Sequence, residues 1–105
     1  MAEPRVACRT PTKGRDGATN IPEWKFNLLR DAIHTVLTKG DVPFSKLTDH
    51  IRPLISEDEL ARLGSLGWHT TSVKLELEVR GEIERVAGSK PQVLRLSAGN
   101  DVGKT

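Results

Sequence analysis

The stretch VKLELEVRG, residues 73–81, fits two different secondary structures. Its apolar residues alternate strictly with Lys74, Glu76 and Glu78, and alternation with period two predicts a strand that is buried on one face. Leu, Glu and Lys are also good helix formers, and Gly81 stands where a glycine often ends a helix. The local pattern therefore leaves both a strand and a helix open.

The residues that follow predict a β-hairpin. Two short runs with β-type composition, residues 83–86 and 92–96, are separated by the turn-rich sequence AGSKP at residues 87–91. If residues 73–79 form a strand, residues 73–96 become a three-stranded meander behind two helices. If they form a helix, that helix leads directly into a two-stranded hairpin.

The residues that precede the stretch predict helices. Asn20 and Glu23 form a capping-box-like start for a helix over residues 21–39, and Gly40 ends it. Residues 41–44 are expected to be extended, because Pro43 biases the residue before it away from helix.

A second helix is expected to begin at Ser45 and to kink or tighten at Pro53. Ser56 and Glu59 form another capping box, which predicts a short turn of helix that Gly64 closes. The chain before the stretch is thus mainly helical.

The end of the chain resembles a winged helix-turn-helix domain, in which a recognition helix ends in Leu-Glu before a Gly and a basic two-stranded wing follows. The resemblance rests on Leu77-Glu78, Gly81, Ile83, Arg85-Val86, residues 88–91 (GSKP) and residues 94–96 (LRL). Residues 21–96 resemble in particular small uncharacterised bacterial winged-helix proteins, with Trp68 near the start of the third helix. The resemblance implies an α+β, mostly helical fold with three main helices and a small antiparallel wing, over residues 20–97, and it favours a helix at residues 73–80.

Both ends of the chain are predicted to be disordered tails. Residues 1–19 are rich in Pro, Gly, Thr and Arg and show no apolar periodicity, and residues 98–105 have a similar composition. The whole chain has a formal net charge of +2. All of this positive charge comes from residues 1–20, because residues 21–105 contain twelve basic and twelve acidic residues. The domain itself is therefore neutral, whereas nucleic-acid-binding domains usually carry a basic patch.

If the third helix reads DNA, the contact residues are expected at its first turns and on the wing. The base-contact candidates are His69, Thr70, Thr71 and Ser72, although Ser and Thr are also natural helix caps. The phosphate-contact candidates are Lys74, Arg85, Lys90 and Arg95, although surface charges are usually just solvated. A basic arm of Arg5, Arg9, Lys13 and Arg15 either lies in the minor groove or along the DNA backbone, or only keeps the protein soluble.

At 100° per residue, the third helix is apolar on two faces. The core face is predicted to contain Leu66, Thr70, Val73 and Leu77. Trp68, Leu75 and Val79 lie on nearly the opposite side, where a recognition helix normally carries polar residues. In addition, Lys74 and Arg80 are offset by Glu76 and Glu78. These features favour a protein-docking surface, including one for a homodimer, over direct base reading.

No catalytic site, metal site or cofactor site is expected. His34, His50 and His69 lack metal-ligand spacing, and no nucleophile motif occurs. Residues 98–105 (AGNDVGKT) match a relaxed phosphate-loop pattern, but no helix follows to hold a phosphate, so the match is taken as chance. The lone Cys8 and the absence of an apolar leader or membrane-spanning run predict a cytoplasmic protein without membrane contact.

Two functions follow from the sequence. The first is a small cytoplasmic DNA-binding protein or transcriptional regulator that binds double-stranded DNA through its third helix and its wing. The second is a protein–protein interaction module that keeps the winged-helix fold and does not bind DNA. Enzyme activity is not expected.

Overall fold

The computed structural model describes residues 4–10, 14–88 and 92–97. Within these residues the chain forms four α-helices, which are α1 (Glu23–Thr38), α2 (Phe44–Ile51), α3 (Glu57–Leu63) and α4 (Leu66–Arg80). A 3-10 turn, Arg52–Leu54, follows α2 directly. The strands are β1 (Arg5–Thr10), β2 (Gly14–Pro22), β3 (Val42–Pro43), β4 (Ile83–Arg85) and β5 (Val93–Leu96). The fold is therefore α+β and mostly helical, as predicted.

The stretch VKLELEVRG lies in α4, so the helix prediction is confirmed and the meander alternative is wrong. The side chain of Ser65 caps the start of α4 by accepting a hydrogen bond from the amide of Trp68 at 3.1 Å, and Gly81 ends it with a φ of 77°. The predicted core residues Leu66, Thr70, Val73 and Leu77 are all buried. The alternation of apolar and charged residues resembles a strand because Leu75 and Val79, which lie on the side of the helix away from the core, are apolar and half-buried.

The strands form two antiparallel sheets. In one sheet β5 lies between β3 and β4, with Val42 opposite Leu94 and Ile83 opposite Leu96. The predicted C-terminal hairpin of β4 and β5 is thus confirmed, and the extended residues before α2 join it as β3. The other sheet is an N-terminal hairpin of β1 and β2, which packs against α4.

The N-terminal hairpin corrects the prediction that residues 1–19 form a disordered tail. Residues 5–10 and 14–19 are in strands, and Cys8 and Ile21 belong to the hydrophobic core with exposed fractions of 3% and 1%. The prediction was wrong because these strands are stabilised by contacts with residues far along the sequence, which local composition does not show. Residues 1–3 and 11–13, and the predicted tail at residues 98–105, lie outside the described residues.

The helices pack around a core of Leu, Ile and Val. From α1, Phe26, Leu29 and Ile33 face this core, in line with their helical spacing. The capping box of Ser56 and Glu59 is present and starts α3. The predicted tightening at Pro53 is the 3-10 turn. The expected three main helices become four, because the segment predicted as one short turn forms the seven-residue helix α3. No helix in the described part of the chain is long and apolar enough to span a bilayer.

Candidate functional site

The first turn of α4 presents an exposed tryptophan. The side chain of Trp68 is 50% exposed, and its ring contacts the ring of His69 edge-on, with 4.7 Å between the centroids. Nδ1 of His69 lies 2.7 Å from the carbonyl oxygen of Ser65 and donates a hydrogen bond to it. The imidazole is thus fixed by the backbone and supports one edge of the indole.

The surface of α4 that points away from the core is mainly apolar. We call it the outer face and define it by Trp68, Thr71, Ser72, Leu75 and Val79, which lie within about 100° of one another around the helix. Leu75 and Val79 are half-buried. The hydroxyl of Thr71 donates to the carbonyl oxygen of Gly67 at 2.9 Å, so this donor is already satisfied within the helix. The outer face therefore offers apolar area and no charge.

On one flank of α4, Glu76 binds the N-terminal hairpin. Its Oε1 accepts hydrogen bonds from the amide of Arg9 at 2.8 Å and from Nε at 3.0 Å, and its Oε2 accepts from Nη2 at 2.7 Å. Nε of Arg80 donates to the same Oε2 at 2.8 Å. Burial alone would raise the pKa of this carboxyl, but the hydrogen bonds from the two arginines outweigh burial and lower the pKa to about 2. Glu76 is therefore ionised at neutral pH.

On the opposite flank, Glu78 binds the C-terminal hairpin. Its Oε2 lies 2.8 Å from Nζ of Lys74, and its Oε1 accepts a hydrogen bond from Nε of Arg85 in β4 at 2.6 Å. The side chain of Lys74 is only 2% exposed, and its Nζ lies 4.5 Å from the ring centroid of Phe44. Burial lowers the pKa of Lys74, and the nearby Glu78 carboxylate partly offsets that effect. Lys74 is thus an interior cation.

The structure separates the predicted DNA-contact residues into two groups. Thr70 is completely buried and Lys74 nearly so, and buried side chains do not reach a duplex, so neither is a contact residue in this structure. The reason is their position on α4, since Thr70 lies on the core face and Lys74 lies beside it. His69, Thr71 and Ser72 are partly exposed, and their contact with DNA stays a prediction.

Three of the predicted basic residues, two in β4 and β5 and one in β1, are neutralised by ion pairs. Arg85 pairs with Glu78, Arg95 pairs with Glu84 at 2.6 Å, and Arg9 pairs with Glu76. Lys13 and Lys90, and the side chain of Arg15, lie outside the described part of the structure. In the part that is described, the exposed cations without an ion pair lie on elements other than α4, β4 and β5; they are Arg5, Lys39, Lys46, Arg52 and Arg62.

The buried carboxylate of Glu82 joins α1 to the end of α4. Oε1 of Glu82 lies 2.7 Å from Nε of Arg30 and 2.7 Å from Nε2 of His34. Burial opposes ionisation of Glu82, but the hydrogen bonds from Arg30 and His34 outweigh it and lower its pKa. Within the described residues no group of His, Cys, Asp and Glu is arranged to hold a metal ion. Through Glu82, the end of α4 is linked to Arg30 and His34 of α1.

Sequence reasoning missed the attachment of Arg9 to Glu76, which joins residues 67 positions apart. It did identify Trp68, Leu75 and Val79 as a separate surface, although the structure exposes Trp68 more than the other two. The spacing of Lys74 to Glu78 and of Glu76 to Arg80 is the signal that could have predicted the intrahelical ion pairs.

Comparison with known proteins identifies a family for the chain. No curated protein and no solved structure matches the chain. A family model matches residues 5–94, a range that includes the N-terminal hairpin, all four helices and β4. The chain therefore belongs to the family of unknown function DUF6958.

Proposed function

We propose that this chain is a protein-interaction module of the winged-helix type that pairs with a second copy of itself through the outer face of α4. The winged-helix assignment is supported by the order of elements, in which α1, β3, α2 and α4 are followed by the hairpin of β4 and β5. It is also supported by the position of β5 between β3 and β4. The fold alone carries no function, whereas the chemistry of the exposed surface indicates one.

The observation that carries the proposal is the chemistry of the outer face. A helix that reads DNA presents polar and cationic side chains to the groove. Here the half-exposed Trp68 lies with Leu75 and Val79, while Lys74 is buried and Arg85 is paired with Glu78. Aromatic residues in exposed apolar patches are typical of the centres of protein interfaces.

A second copy fits this face in shape and in charge. Trp68 and Val79 are about 16 Å apart along the helix axis, and a two-fold axis between them places each Trp68 against the Val79 of the partner copy. The same axis places Ser72 against Leu75. Because the chain carries a net charge of only +2 and the outer face contains no charged residue, two copies approach without strong repulsion.

The test is sedimentation equilibrium on the full chain over roughly 1 μM to 1 mM, where weak dimers are resolved. We expect a monomer–dimer equilibrium that Trp68→Ala weakens at least about tenfold, since a large exposed aromatic residue usually contributes most of the binding energy of an interface. Trp24→Ala is the matched control, because it truncates the other tryptophan, which lies on α1 and stacks against Arg62 at 4.7 Å. Circular dichroism verifies that both variants are folded.

Two results would overturn self-association. One is a monomer over the whole concentration range, and the other is equal weakening by the two tryptophan variants. In the first case the outer face has no role in pairing two copies, and in the second the effect is not specific to that face.

DNA binding is a second candidate, favoured by the partly exposed His69, Thr71 and Ser72 at the start of α4 beside the two-stranded hairpin. We infer that such binding would be mainly electrostatic, and that the protein would act as a small cytoplasmic regulator. The test is an amide chemical-shift titration with a mixed-sequence duplex at low and moderate salt. Shifts at residues 69–72 and 85–88 that fade with salt support it, and Lys74→Met leaves them unchanged because Lys74 is buried. No shifts at low salt would exclude it.

A further inference from the structure

A cavity of about 300 Å³ lies at the end of α1, between the connection to β3 and the end of α2. Its apolar wall contains Val36 and Val42, each 7% exposed, and Pro43. Leu54, which follows α2 in the 3-10 turn, closes one side and is 45% exposed. The volume is at the lower end of the range for small-molecule sites, so it suits a ligand of few atoms.

The wall is held in place by the sheet. Val42 and Pro43 form β3, which pairs with Leu94 and Val93 of β5. The amide of Phe44 donates to the carbonyl oxygen of Gln92 at 2.8 Å directly after the strand. The apolar wall of the cavity is thus built on a paired strand and the last turn of a helix, and the short connection of residues 39–41 is held at both ends by these elements.

Two opposite charges lie on the rim, one on each side of Gly40. Lys39 and Asp41 both line the cavity and are exposed, and neither forms an ion pair with another described residue. His50 lines the rim from α2. The carboxyl end of α1 also lies here, and the partial negative charge of a helix end adds to the attraction of Asp41 for a cation.

We propose that this cavity binds a small zwitterion with an apolar side chain, namely an apolar α-amino acid. The ligand carboxylate pairs with Lys39, and the ligand ammonium group pairs with Asp41 at the end of α1. The apolar side chain packs against Val36, Val42 and Leu54. A purely anionic ligand would leave Asp41 repelling it, and a purely cationic one would be repelled by Lys39, so a molecule with both charges fits best.

The experiment is an amide chemical-shift titration of the full chain with L-leucine and L-phenylalanine. Two parallel titrations use 4-methylpentanoate, which lacks the ammonium group, and isopentylamine, which lacks the carboxylate. We expect saturable shifts at residues 35–42 and 50–54 with at least one amino acid. Each single-charge analogue is expected to bind about two- to fivefold more weakly, since an ion pair with an exposed side chain is weakened by solvent.

Variants test the two rim charges separately. Lys39→Ala and Asp41→Asn are each expected to weaken binding of the amino acid about two- to fivefold, since both side chains are exposed. Lys46→Ala and Asp49→Asn are matched controls, because both residues are exposed on α2 and do not line the cavity. Lys39→Ala should reduce the preference for the amino acid over isopentylamine, which lacks the carboxylate. Asp41→Asn should reduce the preference for the amino acid over 4-methylpentanoate, which lacks the ammonium group.

Several results would overturn the proposal. They are an absence of saturable shifts with both amino acids, equal binding of a single-charge analogue, and unchanged binding in both rim variants. Because Trp68 does not line the cavity, Trp68→Ala is expected to retain amino-acid binding. A failure of the amino-acid site is therefore distinguishable from a failure of self-association.

Discussion

The two flanks of α4 each bind a hairpin through a glutamate, but they do so with different geometry. Glu76 is 1% exposed and accepts three hydrogen bonds from Arg9 of the N-terminal hairpin, as well as one from Arg80. Glu78 is 9% exposed and is shared by the buried Lys74 and by Arg85 of β4, whose side chain is 49% exposed. The carboxylate of Glu76 is thus more deeply buried, and it accepts more hydrogen bonds, than the carboxylate of Glu78 two positions further along the helix.

The two hairpins also differ in the backbone hydrogen bonds that attach them to the rest of the fold. The C-terminal hairpin has further backbone links, since the amide of Glu82 donates to Leu77 at 3.0 Å and that of Ser97 donates to Glu82 at 3.0 Å. The N-terminal hairpin continues directly into α1, where the amide of Glu23 donates to Pro4 at 2.9 Å, and meets α4 at the buried Glu76. We therefore expect the N-terminal hairpin to depend more on a single ionised side chain.

The largest expected effect comes from core truncation in the two hairpins. Ile21→Ala and Leu94→Ala each remove a buried side chain, 1% and 0% exposed, and each should lower the free energy of unfolding by about 4 kcal/mol. Urea denaturation measures both. If Ile21→Ala leaves the main transition unchanged while amide exchange in β1 and β2 accelerates, the N-terminal hairpin unfolds as a separate unit.

The next effect is a pH-dependent loss in Glu76→Gln. Because the pKa of Glu76 falls from an ordinary 4.5 to about 2 in the folded state, its ionised form stabilises the fold above pH 4.5. That stabilisation is lost as pH falls from about 4.5 to 2, since the unfolded chain takes up the proton first. We expect the variant to be about 3 kcal/mol less stable at pH 7, but only about 1 kcal/mol less stable at pH 3.

Urea denaturation of the wild type and the variant at both pH values measures this convergence. Glu84→Gln is the control, because Glu84 is a partly exposed carboxylate that pairs with Arg95 in the other hairpin. A difference between wild type and Glu76→Gln that stays constant with pH would show that the charge of Glu76 does not stabilise the fold.

The smallest effect is expected for Arg85→Ala on the Glu78 flank. Its guanidinium is half-exposed, and Glu78 keeps Lys74 as a partner, so the loss of stability should stay below about 1 kcal/mol. The measurement is again the urea midpoint, at low and at high salt. A loss as large as that of Glu76→Gln would remove the distinction between the two flanks.

The sequence predicts the elements whose signals are local. The helix cap at Ser56, the end of α4 at Gly81 and the core face with Leu66 and Val73 all depend on neighbouring residues, and all are confirmed. The C-terminal hairpin follows from its β-type runs and from the turn between them. The resemblance to winged-helix proteins was needed to choose helix over strand at residues 73–80, because periodicity alone favoured neither.

The features that the sequence did not predict depend on distant contacts. The strand β2 contains Gly14, Asp16 and Gly17, which are poor strand formers, so only its pairing with β1 and the burial of Ile21 account for it. Likewise, the burial of Lys74 depends on Phe44 from another helix. The rim charges Lys39 and Asp41 lie close in sequence, but only the packing of α1, β3 and α2 shows that they border a cavity.

The buried thiol of Cys8 makes the N-terminal hairpin measurable by chemistry. Burial, reinforced by the nearby Glu76 carboxylate, raises its pKa to about 11, so at neutral pH the sulfur is both protonated and shielded. An alkylating reagent modifies it only while β1 is detached from α4. The rate of modification of this one cysteine therefore reports how often the strand leaves the helix, without any introduced label.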